Sequence, residues 1–343
     1  MSTPAASATF TGLVDLAAQS FGGRALGTSD DFFAGMENLL KPGRAIFVPG
    51  KYTDRGKWMD GWESRRKRGS GHDHCIVALG APGTVVGFDI DTQHFVGNHP
   101  PFASVEGLLA APNADAEALA RGPWRELLPQ VPLRPDAQNL LAAIAREPVS
   151  HVRLNIFPDG GVARFRVFGR VAPALGTHDV DDETAPRLGP DWLDLAALKR
   201  GGLPLACSDA FFGPMHHLIS PGRAADMSGG WETRRKRAPG HDWILLRLGV
   251  RGTPRLVEVD TNHFKGNFPD RCAVDVIDAD GARITDLIAS DQFQPLLSEV
   301  KLTAHTRHFF SDLTPTTPAT HVRLHIFPDG GVSRLRVWGT RAE

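Results

Sequence analysis

The chain has 343 residues, of which 41% are hydrophobic, with 38 basic and 39 acidic residues. This length is typical of two domains of ordinary size, and the apolar content is enough to bury a core in each. The formal net charge of −1 argues against proteins that bind nucleic acid or membrane surfaces, because these usually carry an excess of basic residues. We therefore expect a globular protein with neither kind of partner.

The cysteines and the N-terminal segment indicate the cellular compartment of the protein. Cys75, Cys207 and Cys272 are an odd number without metal-type spacing, so neither a disulfide framework nor a cysteine-based zinc site is expected. Residues 1–16 lack a basic cluster followed by an apolar run, so no signal peptide is predicted. No apolar stretch approaches the ~20 residues that a membrane-spanning helix needs. These features, with reduced thiols, favour a cytoplasmic protein.

The chain contains one sequence unit twice. WESRRKR in the first copy returns as WETRRKR 169 residues later, and HVRLNIFPDGG returns as HVRLHIFPDGG after 170 residues. The matching blocks are residues 62–68 with 231–237, 71–73 with 240–242, 91–98 with 260–267, and 151–161 with 321–331. A match of this length predicts two copies of one domain.

The repeat sets the domain limits. We expect a first domain over residues 1–171 and a second over residues 187–343. The segment between them, 172–186, contains Pro, Gly, Thr and an Asp-Asp-Glu run, which is typical of a linker. The first copy is also longer, because the offset between copies falls from 179 at Arg44 to 169 at Trp62. About ten inserted residues are therefore expected around 48–57.

Short strands between Gly and Pro turns dominate both copies. Residues 75–79 are apolar, and residues 85–91 alternate apolar with polar side chains, as strands do. Residues 152–156 and 163–167 alternate in the same way around a Pro-Asp-Gly-Gly turn, which predicts a β-hairpin with one apolar and one arginine-rich face. Short helices are expected only near 31–40 and 114–120. The fold class predicted is all-β, with two tandem jelly-roll β-sandwich domains.

The charged block of each copy sets an acid among arginines. In an extended chain, Glu63, Arg65 and Lys67 share one face. A charged edge strand is one interpretation. A site for a carboxylate is the other, because Arg binds carboxylates bidentately. The candidate carboxylate-binding residues are Arg65 and Arg66, with Arg234 and Arg235 in the second copy.

Two further groups in each copy could carry chemistry. His72-Asp73 and His241-Asp242 follow the arginines by three residues, and a His beside an Asp suits acid–base work near neutral pH, although turn capping is the alternative. A second Asp and His end a strand in each copy, and they could bind substrate, cap a turn or form part of an open divalent-metal site. These residues are Asp91 and His94, with Asp260 and His263 in the second copy.

Three stretches closely resemble the allantoicase family. They are KWMDGWESRRKR at 57–68, GHD at 71–73 and GFDIDTQHFVGNHPP at 87–101. The duplicated order, with HVRLxIFPDGG ending each copy, matches too, so the resemblance covers the chain from about Phe10 to Gly339. It implies two galactose-binding-like jelly rolls, hydrolysis of allantoate to ureidoglycolate and urea in purine degradation, and a homo-oligomer.

The implied reaction gives these residues roles. Arginine would hold the carboxylate of allantoate, and a His would protonate the departing urea. Our hypothesis is that His72 or His241 is this acid–base group, oriented by Asp73 or Asp242. Water would be activated by a carboxylate, a His or a metal, so no cofactor is certain and a divalent metal fits. Further catalytic candidates are Glu63 and Glu232.

The copies differ beside the tryptophan, and one other class of function fits the fold. Asp60, a candidate substrate-binding residue, is Gly229 in the second copy, which favours the first copy as the working half, and a site shared between the copies is the equally permissible alternative. The alternative is a non-catalytic protein that binds two small carbohydrate-like ligands. The dense set of His, Asp, Glu and Arg argues against it, since sugar sites rely on aromatic rings and neutral amides.

Overall fold

The computed structural model describes residues 10–111, 114–172, 180–314 and 317–342. It divides into two compact units, Met1–Ala172 and Pro173–Glu343, each holding one copy of the repeat. The domain limits expected from the sequence touch residues 1–9, 173–179 and 343, which lie outside the described residues. Among the described residues, no helix is long and apolar enough to cross a membrane.

The first unit contains twelve strands and one α-helix among its described residues. They are β1 Val14–Asp15, β2 Arg24–Thr28, β3 Tyr52–Thr53, β4 Gly56–Lys57, β5 Trp62–Glu63, β6 Asp73–Asp91, β7 Phe102–Leu108, α1 Ala116–Arg121, β8 Arg125–Pro132, β9 Leu140–Ala142, β10 Pro148–Phe157, β11 Gly161–Val162 and β12 Arg164–Val171. Short 3-10 helices cover Gln19–Phe21 and Met36–Leu40.

The second unit repeats this order with ten strands among its described residues. They are β13 Leu193–Asp194, β14 Leu203–Cys207, β15 Trp231–Glu232, β16 Asp242–Asp260, β17 Arg271–Ile277, α2 Ile284–Ala289, β18 Gln294–Lys301, β19 Arg307–Phe310, β20 Ala319–Phe327, β21 Gly331–Val332 and β22 Arg334–Arg341. Short 3-10 helices cover Ala185–Arg187, Leu198–Arg200, Met215–Ile219 and Met227–Gly229.

One long strand organises each repeat. β6 has 19 residues, so the two strands expected at 75–79 and 85–91 are one. Its first part pairs with β2 and β10, and its later part pairs with β12 and β9, all antiparallel. The sheet order is β1-β12-β6-β10-β7-β8, and the second repeat has the same order around β16. This arrangement confirms the predicted class of two tandem jelly-roll β-sandwich domains.

The core follows the alternation along these strands. In β6, Val77, Phe88 and Ile90 are fully buried, and Leu154 and Phe165 on the flanking strands are buried with them. Side chains at alternate positions of a strand point to the same face. Burying one such side chain contributes about 1.5–3 kcal/mol relative to leaving it exposed. The alternation in the sequence therefore identified Phe88 and Ile90 as core positions, but Asp89 and Asp91 on the opposite face are buried as well.

The predicted β-hairpin at 152–167 is wrong. β10 and β12 both pair with β6, which lies between them. The turn at 158–161 leads into β11, which pairs with β5. Alternation reveals strands and their buried faces, but partners depend on contacts distant in sequence. The consequence for function is that this turn places residues 62–63 beside the loop after β6.

The helices are shorter than expected, and the insertion forms strands. The helix predicted at 31–40 is limited to the 3-10 turn Met36–Leu40. The helix predicted at 114–120 is Ala116–Arg121, and Asp115 caps it by accepting a hydrogen bond from the Ala118 N–H. The inserted segment forms the two-stranded β3–β4 ladder.

Candidate active site

A cavity of about 420 Å³ opens beside β5 in the first repeat. Its lining combines one carboxyl, one ammonium, one imidazole and one amide with apolar side chains, which is typical of a small-molecule site. The lining residues are Phe33, Lys57, Met59, Glu63, His94, Val96, Gly97 and Asn98. We call this space the Glu63 cavity.

Strand β5 aims Glu63 into the cavity. Trp62 is fully buried, and its indole N–H donates to the Asp30 carbonyl at 2.9 Å. Because consecutive strand residues point to opposite faces, the anchored Trp62 directs Glu63 away from the core. The Asn98 amide then donates to Glu63 Oε1 at 2.6 Å. Two fixed neighbours therefore define the position of this carboxyl group.

Burial changes the acidity of Glu63. It raises the pKa of the Glu63 carboxyl, while the hydrogen bond from Asn98 and the charge of Lys57 lower the pKa to a smaller extent. A carboxyl group with a raised pKa keeps a larger protonated fraction near neutral pH. Such a group in a cavity is a candidate for proton transfer.

Lys57 comes from the insertion that only the first repeat carries. Its ammonium lies 4.6 Å from the centre of the ring of Phe47, the residue just before the insertion. Arg55, on the same hairpin, donates to the Phe32 carbonyl at 3.2 Å and ties the hairpin to the cavity edge. The second repeat lacks this insertion, so no residue there corresponds to Lys57. Sequence reasoning located the insertion but missed that it delivers a cation to the site.

His94 enters the cavity from a strained turn. Its backbone has φ of 70°, a left-handed conformation that non-glycine residues seldom adopt. The His94 N–H donates to Asp136 Oδ1 at 2.7 Å, and His94 Nε2 lies 3.2 Å from the Ala45 carbonyl oxygen. Since a carbonyl only accepts, Nε2 carries the proton and Nδ1 presents a lone pair. Strain of this kind often marks functional turns.

The carboxylates of Asp91 and Asp60 accept hydrogen bonds from other groups of the protein. Asp91 is buried, and its Oδ1 accepts from the Gln93 N–H at 2.9 Å, which is the turn-capping role. Asp60 is also buried, and its Oδ2 accepts from Arg164 at 2.6 Å and from the Ile46 N–H at 3.0 Å. Neither carboxylate lines the Glu63 cavity.

The Asp60 position explains a difference between the repeats. Gly229 replaces it in the second repeat, where Arg334 donates instead to the carbonyls of Gly229, His217, Gly222 and Ser333. Burial lowers the pKa of Arg334 to about 9. The substitution therefore changes how a buried arginine is held, and it does not by itself remove a substrate ligand.

The arginines of the charged block bind the protein's own carboxylates. Arg65 contacts Asp30 Oδ2 at 2.6 Å and lies 5.1 Å from the Phe32 ring. Arg234 contacts Asp209 in the same way at 2.9 Å. Arg66 and Arg235 are exposed on the surface. None of these four residues lines the Glu63 cavity.

The sequence hypothesis that Asp73 orients His72 is wrong. Asp73 Oδ1 accepts from Ser29 at 2.8 Å and pairs with Lys67 at 2.9 Å, while Oδ2 is buried without a hydrogen-bond partner. His72 packs on the Phe157 ring, 4.5 Å between centres. Adjacent residues at the start of a strand face opposite sides, so closeness in sequence did not produce contact.

The second repeat shows the same pattern. Asp242 Oδ1 accepts from Ser208 at 2.8 Å and from Lys236 at 2.7 Å. His241 turns its Nε2 to His325 Nδ1, 2.8 Å away. The proposed pairing of Asp242 with His241 is therefore also wrong.

The remaining residues of the second repeat keep the backbone pattern of the first. Glu232 accepts from the Asn267 amide at 2.5 Å. Asp260 is buried, and its Oδ1 accepts from the Asn262 N–H at 2.8 Å. His263 has φ of 71°. The described residues of the chain contain no group of three or more His, Cys, Asp or Glu side chains arranged to hold a metal ion.

Comparison with known proteins places the chain. The allantoicase repeat model matches residues 14–172 and 193–342. The chain is 45% identical to "Probable allantoicase 1" of Burkholderia mallei, over 95% of this chain and 94% of that one. It is 46% identical to "Probable allantoicase" of Rhizobium meliloti, over 97% and 95%. It also matches the crystal structure of allantoicase from Saccharomyces cerevisiae with a TM-score of 0.79 and 34% identity, over 95% and 92% of the two chains. The chain belongs to the allantoicase family.

Proposed function

We propose that this chain hydrolyses allantoate to ureidoglycolate and urea in the Glu63 cavity of its first repeat. Family membership supports the reaction. One observation carries the choice of site: a carboxyl group with a raised pKa faces an ammonium group in a cavity of about 420 Å³. A cavity of this size suits a molecule as small as allantoate.

The substrate chemistry matches the lining. Allantoate has one carbon that bears a carboxylate and two ureido groups. Lys57 supplies the positive charge for the carboxylate, a role we expected of arginine. The amide of Asn98 and the lone pair on His94 Nδ1 suit ureido N–H and C=O groups. Phe33 and Met59 form the apolar wall.

The reaction breaks the bond between the central carbon and one ureido nitrogen. Protonated Glu63 donates its proton to that nitrogen, and urea leaves. Water then bonds to the central carbon and returns a proton to the Glu63 carboxylate. One carbon–nitrogen bond and one water are consumed, one carbon–oxygen bond forms, and Glu63 ends in its starting state.

Apart from the corrected pairings of Asp73 with His72 and of Asp242 with His241, the other assignments made from the sequence stay predictions. Catalytic roles for His72, Asp73, His241, Asp242 and Glu232 lack a cavity contact that would support them in this proposal, as do binding roles for the four arginines. We also propose a cytoplasmic homo-oligomer that needs neither nucleic acid nor membrane, which the balanced charge supports.

A urea-release assay over a panel of ureides tests the function. We expect allantoate to release urea and the other ureides to release less. The same assay with a chelator shows whether a divalent metal takes part. Absence of urea from every ureide, with heat of binding for a sugar, would contradict the enzyme and favour the binding protein.

A further inference from the structure

Three side chains of the second repeat form a hydrogen-bonded chain that the Glu63 cavity does not include. His241 Nε2 lies 2.8 Å from His325 Nδ1, and His325 Nε2 lies 3.1 Å from Asp275 Oδ2. The side chains of His325 and Asp275 are 14% and 27% exposed. We call this set the histidine relay.

The carboxylate at one end fixes the protons along the relay. Asp275 Oδ2 accepts, so His325 Nε2 carries a proton and His325 Nδ1 has the lone pair. That lone pair accepts from His241 Nε2–H. The hydrogen bonds of the described residues leave His241 Nδ1 without a partner, so a lone pair is presented there. The geometry therefore holds His241 in the tautomer that a general base needs.

Neighbouring strands make the relay rigid. His325 lies on β20 and Asp275 on β17, which pair directly, and His241 precedes β16, which pairs with the other side of β20. The His241 ring packs on Phe327, 4.5 Å between centres. The Arg271 guanidinium lies 5.9 Å from the same Phe327 ring, and it pairs with Asp270 at 3.0 Å and with Glu299. The Arg271 guanidinium and the oriented His241 imidazole thus both lie near the Phe327 ring.

The first repeat does not build this relay. Asn155 stands where the second repeat has His325. Its amide donates to Ser104 Oγ at 3.1 Å and to Glu106 Oε2 at 2.9 Å. Glu106, the counterpart of Asp275, also pairs with Arg153 at 2.7 Å. His72 therefore keeps its aromatic contact but has no carboxylate behind it.

We propose that His241 is a general base for ureide hydrolysis, held by His325 and Asp275 as positioning residues, so that the second repeat has an acid–base centre of its own. This rests on the proposed function, because the substrate is the same class, a small ureide. His241 Nδ1 takes a proton from water as its oxygen bonds to the ureide carbon. The same proton passes to the departing ureido nitrogen as the carbon–nitrogen bond breaks.

The surroundings support a neutral, basic His241. Burial lowers the pKa of His241, and the neighbouring His325 lowers it further. An imidazole with a lowered pKa is unprotonated, and so able to accept a proton, at neutral pH. The other charged groups around it are Lys236, Asp242, Glu299 and Arg271.

Urea release by the full-length chain tests the proposal when the first centre is impaired. We expect Glu63→Gln to leave residual urea release. Adding His325→Asn, which installs the side chain found at the same position of the first repeat, should lower that residual kcat about tenfold or more with KM unchanged. Adding Asn155→Ala to Glu63→Gln is the matched control and should change nothing.

The outcomes separate this proposal from the proposed function. Residual activity that is equal with and without His325→Asn overturns the relay, as does complete loss of activity in Glu63→Gln alone. A wild-type chain that releases no urea overturns the proposed function, and the role of His241 with it. Nitrogen NMR of the imidazoles is independent of turnover: Nδ1 of His241 should be unprotonated in the wild type, and a protonated Nδ1 there contradicts the proposal.

Discussion

The two repeats place a glutamate on the same short strand and give it different neighbours. Glu63 shares its cavity with Lys57, whereas the second repeat lacks the insertion that carries Lys57. The backbone has changed little, since His94 and His263 have φ of 70° and 71°. The two repeats therefore share their backbone conformation at this turn, but they differ in the charged side chains that loops place beside the glutamate. The same substitution made in each repeat therefore tests whether an effect depends on those neighbouring charges.

The largest effect is expected where the repeats hold a buried arginine differently. Arg164 donates to the Asp60 carboxylate and to backbone carbonyls, whereas the hydrogen bonds of Arg334 among the described residues all go to backbone carbonyls. Asp60→Asn leaves the Arg164 charge without its carboxylate, so it should lower the free energy of unfolding of the first repeat by about 3–5 kcal/mol. Denaturant unfolding measures this loss. Glu117→Gln, in an exposed pair with Arg121, is the control, and an equal loss there would contradict the account.

The next largest effect compares the two glutamates. Glu63→Gln removes the proton donor and should lower kcat for urea release about 100-fold or more. Glu232→Gln should change kcat less than about threefold, because the second repeat lacks the insertion that carries Lys57 and therefore lacks its charge-assisted binding of the substrate. Steady-state kinetics with allantoate decide between them. Equal losses from both variants would contradict the choice of the first repeat.

A smaller effect tests the insertion. Lys57→Ala should raise KM for allantoate about tenfold and leave kcat nearly unchanged, since a hydrogen bond to a charged group contributes about 1.5–3 kcal/mol. Lys51→Ala is the matched control, because Lys51 is on the same insertion and lies over Trp58, 3.8 Å from the ring centre, outside the cavity lining. A similar KM in both variants would show that Lys57 does not hold the carboxylate.

The smallest effect concerns pH and stability. Burial raises the pKa of Asp89 from 3.8 to about 6. The folded state then binds more protons than the unfolded state between these values, so the contribution of Asp89 to stability is present below pH 4 and lost as pH rises through about 6. Asp89→Asn should therefore stabilise the first repeat at pH 7 by on the order of 1 kcal/mol, and not at pH 4.

The counterpart of Asp89 in the second repeat, Glu258, pairs with Arg307 at 2.7 Å, so Glu258→Gln should destabilise the second repeat at pH 7. Unfolding curves at both pH values check the pair, and a gain for Asp89→Asn at pH 4 would contradict the assignment.

Much of the fold could be predicted from the sequence. Alternation marked the buried faces of the long strands, as Phe88 and Ile90 show, and the repeat predicted the shared architecture. The hairpin at 152–167 failed because the alternation is the same whatever the partner strand. Pairing across β6 depends on contacts that no local pattern records.

Fewer residues of the candidate site could be predicted from the sequence. Glu63 and His94 were found because they sit in long matching blocks. Lys57 was missed because it belongs to an insertion, which a comparison of the repeats shows as a gap. His325 and Asp275 were missed because three strands distant in sequence bring them to His241. Conversely, Asp73 follows His72 directly, yet its carboxylate bonds elsewhere.

The most direct test of the central claim is a crystal structure of the Glu63→Gln variant soaked with allantoate. The account predicts allantoate in the cavity of the first repeat, with its carboxylate within hydrogen-bond distance of Lys57 Nζ and a ureido group at the side-chain amide that replaces the Glu63 carboxyl. The cavity lies between β5 and the loop after β6, so the substrate should contact Asn98 as well. Allantoate bound elsewhere, with this cavity holding only solvent, would contradict it.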